Sequence, residues 1–400
     1  MTPKVVRKYQ ETHPWLSFQP LDLRRAPPKL WMQLGEARSK IDHLLGVPLR
    51  PEATLELMHV YLAKGAWATT AIEGNTLSED QVRARVAGKL ELPPSQEYLG
   101  QEIDNVVAAF NLIAAGLLAK GHEPLTTSTI TDFNRLVLNG LMLEDGAAAG
   151  MLRTGSVAVG PYKAAPAEDV AYLLSRLCEW LNEAFDAPDP DLATAYSIVK
   201  AIVAHVYFEW IHPFGDGNGR TGRLIEFQIL LAAGVPFPAA HLLSNHYNLT
   251  RPQYYRQLHH ASQTGGDLIP FLSYALQGLV DGLRATIQVV QDEQIRVMWE
   301  NHVHRQVPGS TVTAERQRTL VLALTEAGAP IKKAHLMTFT PEVAQAYRGR
   351  SSKTLTRDVN VLRKLQLIRS GKDGFEARTE SIRAFLPNRV ERSIDPDTSQ

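Results

Sequence analysis

The residues best suited to chemistry lie in one run, Ile211 to Arg223, which holds His212, Asp216, Gly217, Asn218, Gly219, Arg220, Gly222 and Arg223. His212 is the one group there that titrates near neutrality, so it is the natural general base. Asp216 offers hard oxygens to a cation such as Mg²⁺, which bridges phosphate oxygens. The glycines free the backbone where a helix starts, and successive N–H groups at such a start form an anion-binding concavity. Arg220 and Arg223, three residues apart, share a helix face and add a cationic clamp for phosphates. Together these residue types suit a phosphate-containing nucleotide. Gly217 to Gly222 also fit the six-residue dinucleotide fingerprint, but no strand precedes them and no acid follows about twenty positions on. The elements that must position the run are a helix from Leu192 to Trp210 and a buried helix from Leu224 to Ala233, giving a helix-loop-helix.

The run resembles the signature of the Fic-domain family, His-x-Phe-x-Asp/Glu-Gly-Asn-Gly-Arg-x-x-Arg, with every specified position matched. Members are mostly protein adenylyltransferases, which move AMP from ATP to a protein hydroxyl. The resemblance implies an all-α, mainly helical core with a small β-hairpin flap. It implies His212 as base for a target Tyr, Thr or Ser hydroxyl, and Asp216 as the Mg²⁺ ligand. Asn218 with the amides of Gly217 and Gly219 would form the anion hole, and Arg220 and Arg223 would hold phosphates. A sister branch that phosphorylates its targets carries lysine where this chain has Gly219, so the resemblance favours AMP transfer. Upstream, Thr69-Thr70-Ala71-Ile72-Glu73-Gly74 matches the Ser/Thr-x-x-x-Glu-Gly/Asn motif of the family's inhibitory helix. By that match Glu73 would pair with Arg223 and crowd the γ-phosphate, while Thr69 would hydrogen-bond locally and orient Glu73. A solvated glutamate at a helix terminus is the plainer reading.

Val157 and Val159 alternate with small residues before a Gly160-Pro161 turn, which predicts a short hairpin ending near Tyr162. In the family this hairpin is a flap on which a target segment docks by strand addition. Tyr254 and Tyr255 resemble a family landmark, and their aromatic faces suit an adenine; core packing is the alternative.

Length and composition bound these expectations. The chain has 400 residues, 44% hydrophobic and 21% charged, with 42 basic and 42 acidic residues. Balanced charge predicts no polyanionic partner for the chain as a whole. Residues 301–400, however, carry 17 Lys/Arg against 10 Asp/Glu, so the last quarter is basic. The single cysteine, Cys178, allows no internal disulfide and suits a reducing cytoplasm. Met1 to Pro14 lacks the apolar run of a signal peptide, and no stretch of about 18 uninterrupted apolar residues suggests a membrane span. A cytoplasmic protein without a membrane partner is expected.

The expected organisation is an N-terminal arm and helices over 1–95, a catalytic core over 96–306, a further domain over 311–390 and a disordered tail over 391–400. Helices are predicted over Leu30–Leu45, Ala53–Ile72, Ser95–Lys120, Thr127–Leu138, Ala167–Phe185 and Leu268–His304. Ser78 and Gln81 form a capping box for another, and Thr127, Ser128 or Thr129 should cap the helix Thr127–Leu138. Beyond the linker Val307–Ser310, helices over Ala314–Ala327, Ile331–Met337 and Ser352–Leu365 precede a short hairpin. This order resembles an α+β winged helix-turn-helix. Its third helix exposes Lys353, Arg357, Asn360 and Lys364, a stripe able to meet DNA phosphates or base edges, or to dock a protein.

The expected activity is Mg²⁺- and ATP-dependent adenylylation of a protein target or of the chain itself, restrained by Glu73. The alternatives are a DNA-binding regulator with a nucleotide-sensing site, and Glu73-dependent removal of AMP. A second copy of the chain is a candidate partner that no residue pattern specifies.

Overall fold

The computed structural model describes residues 6–19, 21–23, 26–121, 123–143 and 146–382; the tail expected at 391–400 lies outside the described residues. The chain divides into two compact units, 1–288 and 289–400.

In the first unit a single turn, α1 (Tyr9–Thr12), precedes α2 (Pro28–Gly46), α3 (Pro51–Ala71), α4 (Glu79–Val86), α5 (Glu97–Lys120) and α6 (Thr127–Val137). Pro28 and Pro51 open their helices, where the missing N–H has no intrahelical acceptor to lose. Ser78 and Gln81 form the expected reciprocal capping box. The cap of α6 is Thr126, one residue before the three expected candidates. A run of four hydroxyl residues, 126–129, gives the sequence no basis for choosing. Thr126 is the one with extended backbone whose side chain accepts from the Thr129 N–H.

The hairpin follows as β1 (Ala158–Val159) and β2 (Tyr162–Lys163). Val157 lies just outside the ladder, its carbonyl accepting from the Ala164 N–H. Then come α7 (Val170–Glu183), α8 (Ala193–Ile211), α9 (Asn218–Ala232), a single-turn α10 (Phe237–Ala240), α11 (Leu242–Leu249), α12 (Arg251–Gln263) and α13 (Ile269–Gln306), within which the division between units falls. Pro94–Lys120 is long and apolar enough to cross a membrane by length and composition. Here Leu99, Ile103, Val106, Phe110 and Ile113 of that stretch pack into the helical core.

The centre of this unit is the pair α8 and α9. Ile198, Ile202, Val203, Val206 and Phe208 of α8, with Leu224, Ile225, Phe227 and Leu230 of α9, are buried, so both helices are apolar round most of their circumference. This core also encloses polar groups. His205 Nε2 lies 2.8 Å from the Tyr254 hydroxyl, and its ring stacks on Tyr247. The Tyr247 hydroxyl donates to Glu226 Oε1 at 2.9 Å. Burial pushes Glu226 up to about 8, outweighing that hydrogen bond, and pushes His205 down to about 4.

The second unit contains α14 (Val312–Ala327), α15 (Pro341–Ala346), α16 (Ser352–Lys364) and the antiparallel pair β3 (Ile368–Ser370) and β4 (Phe375–Ala377). The helix expected over Ile331–Met337 is not formed. Ile331 exchanges backbone hydrogen bonds with Phe375 of β4, and turns follow it. The helix starts instead at Pro341, capped by Thr340. Sheet pairing has overridden local periodicity there. On α16, Leu355, Val359 and Leu362 are buried, whereas Lys353, Arg357, Asn360 and Lys364 are exposed. The inner face also carries Asp358, which accepts from Arg316 at 2.7 and 3.2 Å, Gln317 at 2.9 Å and Tyr347 at 3.1 Å.

The Glu226 carboxyl yields a stability prediction. Its pKa is raised from 4.5 in an unfolded chain to about 8 in the fold, so its contribution is complete below the lower value and lost as pH rises through the upper one. Glu226→Gln, which keeps a neutral acceptor for Tyr247, should therefore flatten the fall in melting temperature between about pH 5 and 8. Thermal scans of both proteins across that window check it; parallel curves would contradict it.

Candidate active site

His212 caps the C-terminus of α8 in the left-handed conformation, φ +50°, which costs a non-glycine residue about 1 kcal/mol or more. A buried arginine holds it there. Arg153 donates from Nε to the His212 carbonyl at 2.6 Å and from Nη2 to the Ile211 carbonyl at 3.2 Å. Its remaining bonds go to the carbonyls of Gly155 at 2.7 Å and Ala165 at 2.5 Å, on either side of the hairpin. The Arg153 N–H bonds the Pro213 carbonyl, and Leu152 bridges Phe214. One cation thus satisfies the exposed carbonyls at the negative end of α8 and ties the hairpin's base to the catalytic loop.

The loop then turns into α9. The Asn218 side chain accepts from the Phe214 N–H and donates to the Phe214 carbonyl, both at 2.9 Å. Asn218 therefore braces the loop rather than lining an anion hole with its amide, as was expected. The N–H groups of the first turn of α9 remain the anion-binding element. Asn134 of α6 braces the loop from outside, donating to the Asp216 carbonyl at 2.9 Å and accepting from the Gly150 N–H at 2.8 Å.

The two arginines are already engaged. Arg220 contacts Glu102 of α5 at 3.0 Å and Asp216 at 3.1 Å, and it is buried. The other Glu102 oxygen accepts from Asn75, just beyond α3, at 2.8 Å. Arg220 is thus shared between two carboxylates and, in this arrangement, is not open to phosphate as expected. Arg223 donates to Glu73 Oε1 at 2.5 Å and to the Thr69 carbonyl at 2.9 Å; its Nε and Nη1 have no hydrogen-bond partner. Burial works against the Arg223 charge, and Glu73 together with Tyr254 and Glu209 more than offsets it. A Cβ at Gly219 would collide with Glu73 Oε1, so the carboxylate lies over backbone that only glycine leaves open. Thr69 differs from expectation: its hydroxyl has no partner, and it acts through its carbonyl on Arg223 rather than on Glu73.

His212 Nδ1 stands 3.6 Å from Glu209 Oε2, on the last turn of α8. Beside it opens a cavity of about 510 Å³ lined by Val159 and Tyr162 of the hairpin, Glu209, Trp210, and Arg251 and Tyr255 of α12. This is room for a nucleoside. Tyr255 is 38% exposed there, but Tyr254 is 2% exposed. Tyr254 is a core residue bonded to His205, which corrects its expected place against an adenine. Tyr162 donates its hydroxyl to the Trp210 carbonyl at 2.9 Å, fixing the hairpin to α8.

Among the described residues no three His, Cys, Asp or Glu side chains gather as a metal site. Asp216 turns one oxygen to Arg220 and the Gly217 N–H, and its side chain is 36% exposed. That fits a cation held by one carboxylate and completed by phosphate oxygens and water, the usual manner for Mg²⁺.

Four polar residues around the site escaped the sequence reading: Glu102, Asn134, Arg153 and Glu209. Only Glu209 left a signal, an acid three residues before His212 in an otherwise apolar helix end.

The architecture is that of a helical domain with a histidine-loop-helix site beneath a hairpin. Residues 124–230 match the Fic/DOC family model, so the first unit carries a Fic domain. It is 32% identical over 246 residues to the protein adenylyltransferase fic-1 of Caenorhabditis elegans, covering 62% of this chain and 44% of that protein. The solved structure of residues 134–508 of C. elegans Fic-1 superposes with a TM-score of 0.54 at 28% identity, over 66% of this chain and 73% of that one. A Fic family protein from Desulfovibrio desulfuricans G20 shares the fold over 92% of this chain and 98% of its own, with a TM-score of 0.55 at 23% identity. The chain thus spans under half the length of the curated C. elegans relative.

Replacing Arg153 with Met should cost about 2–4 kcal/mol, since charged hydrogen bonds contribute about 1.5–3 kcal/mol each and do not add. Urea denaturation measures it, and a loss below about 1 kcal/mol would remove Arg153 as the clamp of the α8 terminus.

Proposed function

We propose that this protein is an adenylyltransferase that moves AMP from ATP to a hydroxyl of a protein target or of itself, and that Glu73 restrains it. The observation that carries the reading is His212 at the end of α8, one short loop before the start of α9, with Arg223 on that helix already paired to Glu73. The relatives named protein adenylyltransferase support the same chemistry.

In this reading His212 takes the proton of the target hydroxyl as its oxygen attacks the α-phosphorus. The bond from that phosphorus to the bridging oxygen breaks, and pyrophosphate leaves with the electron pair. The first N–H groups of α9 and the Arg223 guanidinium hold the phosphates, so positioning and charge neutralisation supply most of the rate. Asp216 would hold Mg²⁺, whose chemistry is to neutralise phosphate charge. Glu73 occupies Arg223 and adds a negative charge where the γ-phosphate would lie. The nucleotide then sits with its α-phosphate out of line, and a displacement of about 1 Å costs on the order of 100-fold in rate. The nucleoside takes the cavity beside Tyr255, and a target segment lies along β1. Removal of AMP with Glu73 orienting water uses the same residues and is the variant reading. The single thiol, Cys178, is buried and pushed up to about 12, and the reading places the protein in the cytoplasm.

A second reading concerns 289–400. The stripe Lys353, Arg357, Asn360 and Lys364 is exposed, with no ion-pair partner for its cations among the described residues. Asp358 is held from behind by Arg316, Gln317 and Tyr347. A fixed helix with free cations suits a winged helix-turn-helix that meets DNA phosphates.

With Mg²⁺ and α-labelled ATP, Glu73→Gly should label itself or lysate proteins about 100-fold more strongly than wild type, and adding His212→Ala should abolish the label. Equal labelling by wild type and Glu73→Gly removes the restraint; label surviving His212→Ala removes the base. For the second reading, Lys353→Ala with Arg357→Ala should weaken duplex DNA binding and lower the slope of log affinity on log salt by about 2. Anisotropy titrations at several salt concentrations test this, and an unchanged slope would turn the face over to protein docking.

A further inference from the structure

Glu209 sits where a carboxylate is poorly accommodated. It lies in the last turn of α8, against the negative end of the helix dipole, and its side chain is 12% exposed. Its Oε1 has no hydrogen-bond partner. A Cβ at Gly222 would come within 2.9 Å of that oxygen, so α9 approaches the carboxylate with bare backbone. Burying an acid in this way is costly unless it answers a cation or a donor. The nitrogen that meets it is His212 Nδ1, 3.6 Å from Oε2, which is itself buried without a partner. One buried ring nitrogen without a partner, His212 Nδ1, thus faces the Glu209 carboxylate through Oε2, while the other carboxylate oxygen is left unpaired against α9. The gap is longer than a hydrogen bond by a few tenths of an ångström, and such contacts commonly tighten once substrate is bound. Burial acts to protonate Glu209, but the His212 contact, His205 and Arg223 together hold its pKa below the ordinary carboxylate value.

We propose that Glu209 is a positioning residue for His212: its carboxylate accepts the Nδ1 proton, which leaves Nε2 unprotonated and facing the hydroxyl to be activated. The inference rests on His212 being the general base. As Nε2 gains the hydroxyl proton, the imidazolium that forms keeps Nδ1–H against a carboxylate already in place, and no proton passes to Glu209. A base oriented by a third group recurs wherever a histidine must act as a single tautomer. The competing role is contact with the nucleotide, because Glu209 also lines the cavity beside Tyr255.

Three measurements separate these roles. In the protein without Glu73→Gly, ¹⁵N NMR of labelled histidine should show the neutral His212 ring protonated at Nδ1; a ring protonated at Nε2 would overturn the proposal without any variant at position 209. In the Glu73→Gly background, Glu209→Gln should lower kcat about 100-fold or more while leaving KM for ATP within about twofold, and Glu209→Asp should recover part of the loss. The His212 tautomer should shift in Glu209→Gln, which a merely structural carboxylate would not cause. An unchanged kcat and tautomer in Glu209→Gln, or a raised KM at constant kcat, overturns the positioning role. His212→Ala in the same background distinguishes the failures: if it still transfers AMP, the base assignment falls, whereas an inactive His212→Ala beside an unaffected Glu209→Gln removes Glu209 alone.

Discussion

The site depends on the end of one buried helix meeting the start of the next. α8 finishes with open carbonyls and α9 begins with open N–H groups, and five residues, Pro213 to Gly217, separate His212 from the first residue of α9. Neither end can be left bare inside a core. Arg153 answers the carbonyl end and Asn218 ties the loop to itself, so the N–H end alone stays available to an anion. The left-handed backbone of His212 is held by this closure: a strained residue persists where its surroundings over-determine it.

Buried charge organises the rest of the first unit. Two arginines on one face of α9 draw acids from two other helices, Glu73 from the end of α3 and Glu102 from α5. Asn75 bonds the second of those acids, so the segment carrying Glu73 is anchored on both arginines. Release of Glu73 would leave a guanidinium buried to 99% holding only the Thr69 carbonyl, a state that phosphate oxygens can stabilise. The core behind makes the opposite choice. His205 and Glu226 are enclosed with tyrosines and lean toward their neutral forms, because no full countercharge is paired with either.

The second unit uses a buried ion pair differently. Arg316 and Asp358 are both nearly inaccessible and joined by two hydrogen bonds, with Gln317 and Tyr347 completing the carboxylate. A pair so well satisfied fixes which face of α16 looks inward, and it leaves the lysines and arginine of the opposite face in solvent.

The sequence by itself determined the helices, whose apolar spacing runs uninterrupted in α3, α5, α8 and α9, and the run from His212 to Arg223, whose residue types already name phosphate chemistry. These are local properties: a helix face and a glycine-rich turn are written within a dozen residues. The hairpin was legible for the same reason. What only the tertiary structure decided is who meets whom across long separations. Arg223 and Glu73 lie 150 positions apart, and the pairing was readable only through resemblance. Arg153 is one polar residue in an irregular segment, and nothing in its neighbours announces that it will enter the core to hold four carbonyls. Tyr254 and Tyr255 are adjacent in sequence, yet helical geometry turns one into the core and the other to the cavity. Ile331–Met337 has helix-like spacing, but a strand 44 residues later claims its first backbone group. Periodicity records which face is apolar; hydrogen-bond and charge partners are settled only when distant elements are brought within about 3 Å.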